Sequence, residues 1–320
     1  MNFSGFPQVK KRLCDVKIYF LILFCISSYV FADEGVLDQV SLSFRLTTRA
    51  ETQIRVAGEF IFPFLVGDSA LTEGNNIRFV LSADVSPVSV NGMLETVWKP
   101  LAVFEISAVS FAGSGWDIPL ASGVSFNKPG LDRLGKPDGS ARFEGSPFMG
   151  MVWGTQLGAA VQFDLGALYP GKWTHVVFRS FNSLRYRALT CADKNDSWQY
   201  EHDIGEERNG WTYLATHVLG YQMPFKLNVI ALVFEQEKRL YDTPGKEVWG
   251  DSYSRFTLGL AGEYLFSDKL ALGVLVQIRT KKNYIDSSTQ YDWYQMREVD
   301  RDDPRDFEFY RLAASLTWIF

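Results

Sequence analysis

Strict two-residue alternation recurs along this sequence and restricts its fold more than any other feature. Val40, Leu42, Phe44 and Leu46 alternate with Ser41, Ser43, Arg45 and Thr47, and Ile54, Val56, Phe60 and Phe62 alternate with Arg55, Ala57 and Glu59. Further on, Phe256, Leu258, Leu260, Tyr264 and Phe266 interleave with Arg255, Thr257, Gly259, Ala261 and Glu263. Leu270, Leu272, Val274, Val276 and Ile278 do the same with Ala271, Gly273, Gln277 and Arg279. Successive side chains of a strand point to opposite faces, so each segment reads as a strand with one greasy face and one small, polar or charged face. A helix cannot produce that period over so many segments.

The punctuation between segments gives about a dozen strands, near 38–48, 52–62, 77–86, 88–98, 101–112, 149–165, 173–188, 211–222, 226–241, 252–266, 270–282 and 306–320. Tight turns are expected at Lys99-Pro100, Tyr169–Lys172, Met223–Lys226 and Ser267–Lys269, and long polar connections at 113–148, 189–210, 242–251 and 283–305. In the N-terminal third, Ser86–Ser89 and Asn91-Gly92 compete for one hairpin turn, which leaves the strand count between ten and fourteen. From residue 98 onward short turns thus alternate with long loops, as in barrels that cross an outer membrane.

Aromatic residues gather at the short-turn ends: Trp98, Tyr169, Trp173, Tyr221, Phe225, Tyr264, Phe266, Trp318 and Phe320. Phe62 and Phe64 join them if the 63–76 connection lies on that side. Such belts are expected where strands cross the headgroup level, and a water-soluble barrel has no reason to build one. A mean hydropathy of −0.06 argues against a bundle of membrane helices but is blind to a barrel, whose apolar positions alternate with polar ones. The net charge of −5 leaves no footprint for nucleic acid.

One helical signal stands apart. Lys10, Lys11, Arg12 and Lys17 precede an apolar run from Ile18 to Ile26, which is short of the roughly 20 residues a spanning helix needs. With Val30 and Ala32 at the −3 and −1 places, residues 1–32 read as a secretory signal cut after Ala32, and residues 33–320 as one barrel domain. An uncleaved anchor helix and lipidation at Cys25 are the other readings. Cleavage would remove Cys14 and Cys25 and leave Cys191 alone, so no internal disulfide is expected.

The final strand, Tyr310, Leu312, Ala314, Leu316, Trp318 and the terminal Phe320, resembles the C-terminal signature of bacterial outer-membrane β-barrels. That resemblance implies an antiparallel transmembrane β-barrel in the cell outer membrane, with short periplasmic turns and long extracellular loops. It also implies contact with outer-membrane lipid and with the barrel assembly machinery, which reads Tyr310, Leu312, Leu316, Trp318 and Phe320. On this geometry Arg45, Arg55, Glu59, Arg255, Glu263, Arg279 and Arg311 face the lumen, because an arginine facing lipid at mid-depth costs about 2–4 kcal/mol.

A catalytic site is harder to find. About twelve strands would be similar to outer-membrane phospholipase A, and ten to the omptin proteases, so Tyr200–Trp211, with His202, Asp203, Glu206, Glu207 and Asn209, is the segment to test. The phospholipase resemblance implies a serine two residues after the histidine, yet Ile204 stands there, and no second pair of aspartates supports an omptin site. The segment reads better as a hydrated surface loop. Arg297–Asp306 is rich in carboxylates that interleave with arginines, so a solvated loop with local ion pairs is a better reading than a Ca²⁺ site. No metal and no cofactor is expected. In Gly150–Asp164, the glycines at 150, 154 and 158 on one face either leave room for solvent or an inserted loop, or ease sheet packing.

Three functions remain. The first is a porin-like channel passing small hydrophilic solutes, with anions favoured by the lumen arginines. The second is a plugged barrel that binds partners through its long loops, where Trp116, Tyr284, Tyr291, Trp293 and Tyr294 would suit a contact surface or an outer aromatic belt. A hydrolase at the rim ranks last.

Overall fold

The computed structural model describes residues 38–320 apart from 50, 119–120, 202–204 and 290, so the leader expected over 1–32 lies outside the described residues. Fifteen strands follow one another: β1 (Gln39–Thr47), β2 (Thr52–Pro63), β3 (Asn76–Val85), β4 (Ser89–Leu101), β5 (Phe104–Gly115), β6 (Val124–Leu131), β7 (Pro137–Gly145) and β8 (Val152–Asp164). Then come β9 (Val176–Leu189), β10 (Trp198–Tyr200), β11 (Gly210–Gln222), β12 (Leu227–Arg239), β13 (Arg255–Ser267), β14 (Leu270–Lys282) and β15 (Arg305–Ile319).

Twelve of them close an antiparallel barrel in the order β1-β15-β14-β13-β12-β11-β9-β8-β5-β4-β3-β2. The seam pairs the first strand with the last, from Ser41 opposite Ile319 to Thr47 opposite Ala313, and the Phe320 amide donates to the Val40 carbonyl at 3.0 Å. Closure matters because backbone groups in hydrocarbon have no water to bond, and a sheet without edges leaves none unpaired.

Period-two sequence becomes two-faced wall. Leu42, Phe44, Ile54, Val56, Leu157, Val161, Leu219, Leu232, Leu258, Leu260, Val274 and Val276 are exposed on the outside. Their neighbours of opposite parity, such as Ser82, Asp84, Val97, Ser107, Ala160, Ser183 and Ala215, are buried inside. Tyr169, Trp173, Phe225, Phe266, Trp318 and Phe320 are exposed around the short-turn rim, and the 64–75 connection brings Phe62 and Phe64 to the same rim. The Phe64 ring meets Trp98 edge-on at 6.4 Å. A closed barrel with an apolar wall and an aromatic girdle is an outer-membrane β-barrel, and this fixes where the protein resides.

The competing turns resolve at Ser86–Ser89, where the Ser86 amide donates to the Ser89 carbonyl at 3.0 Å. Asn91 and Gly92 run on within β4, opposite Asp84 and Ala83. The rim asymmetry is confined to part of the circumference. The connections after β1 and β3 on the outer rim are tight, whereas those after β5, β9, β12 and β14 are long.

Three of these features depart from expectation. The 113–148 and 189–210 segments are not plain loops, because β6 and β7 from the first pair with β10 from the second in a separate sheet of order β10-β6-β7. β6 is broken by Pro129 and Gly130, β7 is mostly polar and β10 has three residues, so only the long-range pairing reveals the sheet. On β15 the register slips between Ile278–Phe309 and Gln277–Arg311, which leaves Tyr310 as an extra residue. Phe307 and Phe309 therefore take the outward face with Leu312, Leu316 and Trp318. Tyr310, expected outward with them, turns instead to the arginines of the mouth: Arg279, Arg311 and Arg49 lie 4.1, 4.8 and 5.1 Å from its ring. Finally, Tyr294 is no surface contact but is fully buried.

Candidate functional site

The lumen face of the wall is where charge collects. Arg255, Arg279, Arg311, Arg45 and Arg55 stand on β13, β14, β15, β1 and β2, five strands consecutive around the barrel. Four of them are held by acids. Arg55 forks onto Asp84 at 2.5 and 2.9 Å, Arg311 donates to Glu51 at 2.8 Å and to Gln277 at 2.8 Å, and Arg279 donates to Glu308 at 2.7 Å. Arg255 lies 3.7 Å from Glu206 and 3.9 Å from Glu237. Arg45 makes no hydrogen bond or ion pair among the described residues, and its guanidinium is exposed to the lumen between Arg55 and Arg311. Glu59 and Glu263 lie nearer the short-turn rim, where Glu59 meets Arg78 at 3.5 Å and Glu263 accepts from Asn228 at 2.9 Å. All seven stand on barrel strands, spread from one rim to the other.

The outer half of that lumen is occupied by the chain itself. Between β9 and β11 the described residues of the 190–209 segment fold inward. Asn209 pins its base: the side-chain oxygen accepts from the Leu189 amide at 2.9 Å and from the Trp198 indole at 3.1 Å, while the amide group donates to the Ala192 carbonyl at 3.1 Å. Trp198 and Glu207 exchange backbone hydrogen bonds at 3.0 and 3.1 Å, which makes the tip a small hairpin. The Trp198 side chain, 0% exposed, packs with Val124, Val152, Leu189 and Tyr200 in the apolar cluster that anchors the segment.

Polar clasps then hold the segment across the mouth. On one side the Tyr200 hydroxyl donates to the Asn91 side-chain oxygen, and the Glu201 carboxylate accepts from Ser89 at 2.5 Å and Asn91 at 3.0 Å, all on β4. On the other side Glu206, 1% exposed, meets Arg239 at 2.9 Å, Lys282 at 3.0 Å and Arg297 at 3.0 Å. Glu207 meets Arg239 at 3.2 Å and Arg187 at 3.4 Å. Arg208 lies between them, fully buried, with its guanidinium 3.8 Å from the Tyr294 ring and 5.5 Å from Trp249. The segment predicted to be a hydrated surface loop is therefore a buried crosspiece. Its acids are adjacent in sequence to an arginine, as in any solvated loop, and their cation partners come from β9, β12, β13, β14 and the 283–304 loop, too far along the chain to be read.

Burial alone would raise the pKa of Glu206, but Lys282, Arg239, Arg255 and Arg297 outweigh it and hold the carboxyl well below the ordinary range. Glu207 is likewise buried, and Arg187 and Arg239 bring it down to about 2. Both are charged at any physiological pH. A buried carboxylate stripped of its partners would cost several kcal/mol, so the segment and the wall cations depend on each other.

Two cavities lie within the barrel wall, the first bordered by the crosspiece through Gln199 and Glu206. One of about 470 Å³ opens at the outer mouth against β13, β14 and β15, with Arg255, Arg279, Lys281, Lys282, Arg305 and the loop residues Arg49 and Arg297 around it, and only Glu206 and Glu308 to oppose them. The other, about 270 Å³, lies against β3 to β11 and carries both signs, with Arg78 and Arg179 facing Glu95 and Glu105. There Arg179 bridges Glu105 and Gln162, each at 2.7 Å. The lumen glycines have a packing role. A Cβ at Gly158 would run into the Phe181 ring, and one at Gly150 into Cys191 and Leu189.

His202 and Asp203 lie outside the described residues, and Glu206 and Glu207 further along the segment pair with Arg239. No family model and no curated protein matches the chain. Among solved structures, the KdgM porin is similar at 11% identity and a TM-score of 0.36, over 88% of this chain and 99% of that one. The translocator domain of autotransporter NalP from Neisseria meningitidis is similar at 10% identity and a TM-score of 0.40, over 94% and 95%. Omp33 of Acinetobacter baumannii is similar at 9% identity and a TM-score of 0.35, over 90% and 100%. What these chains do is not transferable at such distances; the class of this protein rests on its own closed, belted wall.

Proposed function

We propose that this protein is a porin-like channel that passes small hydrophilic solutes, favours anions, and is narrowed in its outer half by the 190–209 crosspiece. The observation that carries the reading is the arc of five lumen arginines from Arg255 on β13 to Arg55 on β2, with the guanidinium of Arg45 within it unpaired among the described residues. Fixed positive charge on a low-dielectric wall raises the local concentration of anions. In this reading residues 1–32 are a leader removed on export, the protein sits in outer-membrane lipid, and Leu312, Leu316, Trp318 and Phe320 address the assembly machinery. Single-channel recording of refolded protein tests it. Discrete conductance steps, with a reversal potential in a KCl gradient that marks Cl⁻ as the more permeant ion, are expected. Silent bilayers, or cation preference, would end the reading.

A second reading has its own support. Trp198, Glu206, Glu207 and Arg208 are as buried as the core of a soluble protein, which suits a plugged barrel that acts through its outer loops. Silent bilayers from correctly folded protein would favour it.

A further inference from the structure

Around the outer cavity, acids run out before cations do. Glu206 takes up Lys282 and Arg297, each at 3.0 Å, and Glu308 takes up Arg279 at 2.7 Å. Arg49 and Arg305 are left over. Neither side chain forms an ion pair or hydrogen bond among the described residues. Arg49 lies 5.1 Å from the Tyr310 ring, and Arg305 lies 5.3 Å from Phe256 and 5.8 Å from Tyr253. Stacking on an aromatic face holds a guanidinium in place while leaving its N–H donors unspent. Lys281 beside them has one carboxylate within reach, Asp306 at 4.0 Å, and both side chains are exposed.

We infer that this cavity is a saturable binding site for a small organic polyanion bearing at least two carboxylate or phosphate groups. Three under-compensated cations on one wall fit separate anionic groups of one molecule, since guanidinium forks match carboxylate and phosphate oxygens in pairs. The space of about 470 Å³ falls within the usual range for small-molecule sites, and Tyr284 and Tyr291 in its lining offer rings to the body of the ligand. A neutral solute gains nothing from the arginines. A single charge engages only part of them. As a step in transport the site rests on the channel reading, where it would collect solute ahead of the narrowed lumen.

The test is calorimetric titration of the folded protein, in neutral detergent and at low salt, with citrate, with pyrophosphate and with maltose. One-to-one saturable binding of citrate or pyrophosphate and none of maltose is expected. The pair Arg49→Gln with Arg305→Gln should weaken the anion about tenfold or more, as for the loss of two charge-assisted contacts. Arg133→Gln and Lys136→Gln, on the β6–β7 hairpin outside the cavity, should leave it unchanged. Heat-modifiable migration on gels checks folding, and Lys281→Gln serves as the reporter if the double variant does not fold. Absence of binding by both anions, or equal affinity in the variants, overturns the site. If neither soluble anion binds but added anionic lipid does, the arginines serve the headgroup region and the solute site is likewise overturned. Binding in micelles needs no conduction, so saturable binding with silent bilayers would remove the channel and keep the site, while conduction without binding would do the reverse.

Discussion

Glu206 shows how one residue can decide the state of the mouth. It lies among Arg239, Arg255, Lys282 and Arg297 and is 1% exposed. Glu206→Gln keeps the shape and removes the charge, leaving cations from three strands and a loop facing one another in a desolvated place. Breaking a buried pair from one side costs about 3–5 kcal/mol, and here the cost falls on the crosspiece rather than on the barrel hydrogen bonds. The expected outcome is a barrel that still shows heat-modifiable migration, with the 198–209 amides losing protection in hydrogen exchange. Full protection in the variant would refute the clasp. The pH dependence follows from the same group and from Glu207. Both folded-state pKa values are depressed, Glu207 to about 2, so their stabilisation is complete above the ordinary carboxylate pKa of about 4.3 and is lost as pH falls through the folded values. Conductance should therefore stay level from pH 8 to 5 and rise only below about pH 4. A rise between pH 8 and 5 would place control on another group.

At the scale of elements, the strands were legible and the crosspiece was not, for a physical reason that differs between them. A barrel strand writes its own address locally: Leu258, Leu260, Tyr264 and Phe266 must meet lipid, and Thr257, Gly259 and Glu263 must not, so parity alone places both faces. Turn chemistry located most hairpins for the same reason. The strand β10 has three residues, and its one partner β6 lies more than fifty residues upstream, so nothing local distinguishes Trp198-Gln199-Tyr200 from loop. The bulge at Tyr310 escaped in a similar way, because alternation counted from Phe320 runs evenly through it. It takes the facing register on β14 to show that Arg311 pairs with Gln277 and Phe309 with Ile278. Gly158 gives a test at this scale. Its missing side chain is the space filled by Phe181 from β9, so Gly158→Val forces that ring out of its packed position. Overpacking of this kind costs about 1–3 kcal/mol, and the variant should lose its heat-modified band at lower temperature than the parent. Paired with Phe181→Ala, which vacates the space, the loss should be smaller than the sum of the two single effects. Additive losses would mean the two residues do not share that space.

For the whole molecule, the uneven outer rim sets what the barrel can do. Tight turns after β1 and β3 leave that arc of the mouth low, while the long connections after β5, β9, β12 and β14 rise on the other arc and fold over it. The crosspiece spans between them, clasped to β4 through Glu201 and to β12 and β14 through Glu206. It makes no contribution to the barrel ladder, since β9 and β11 pair directly from Gly210 opposite Arg187 to Tyr221 opposite Val176. Replacing 191–208 by a short turn should therefore leave a closed barrel and widen its outer half. Excision also exposes Arg187, Arg239 and Lys282 to the lumen with Glu206 and Glu207 gone, which adds fixed positive charge to the path. The shortened protein should then show a larger unitary conductance than the parent and a stronger preference for Cl⁻ in a KCl gradient. A larger conductance with unchanged preference would show that the crosspiece acts by bulk alone, and an unchanged conductance would show that the narrowest part of the path lies below it, beside Arg179 and Glu105.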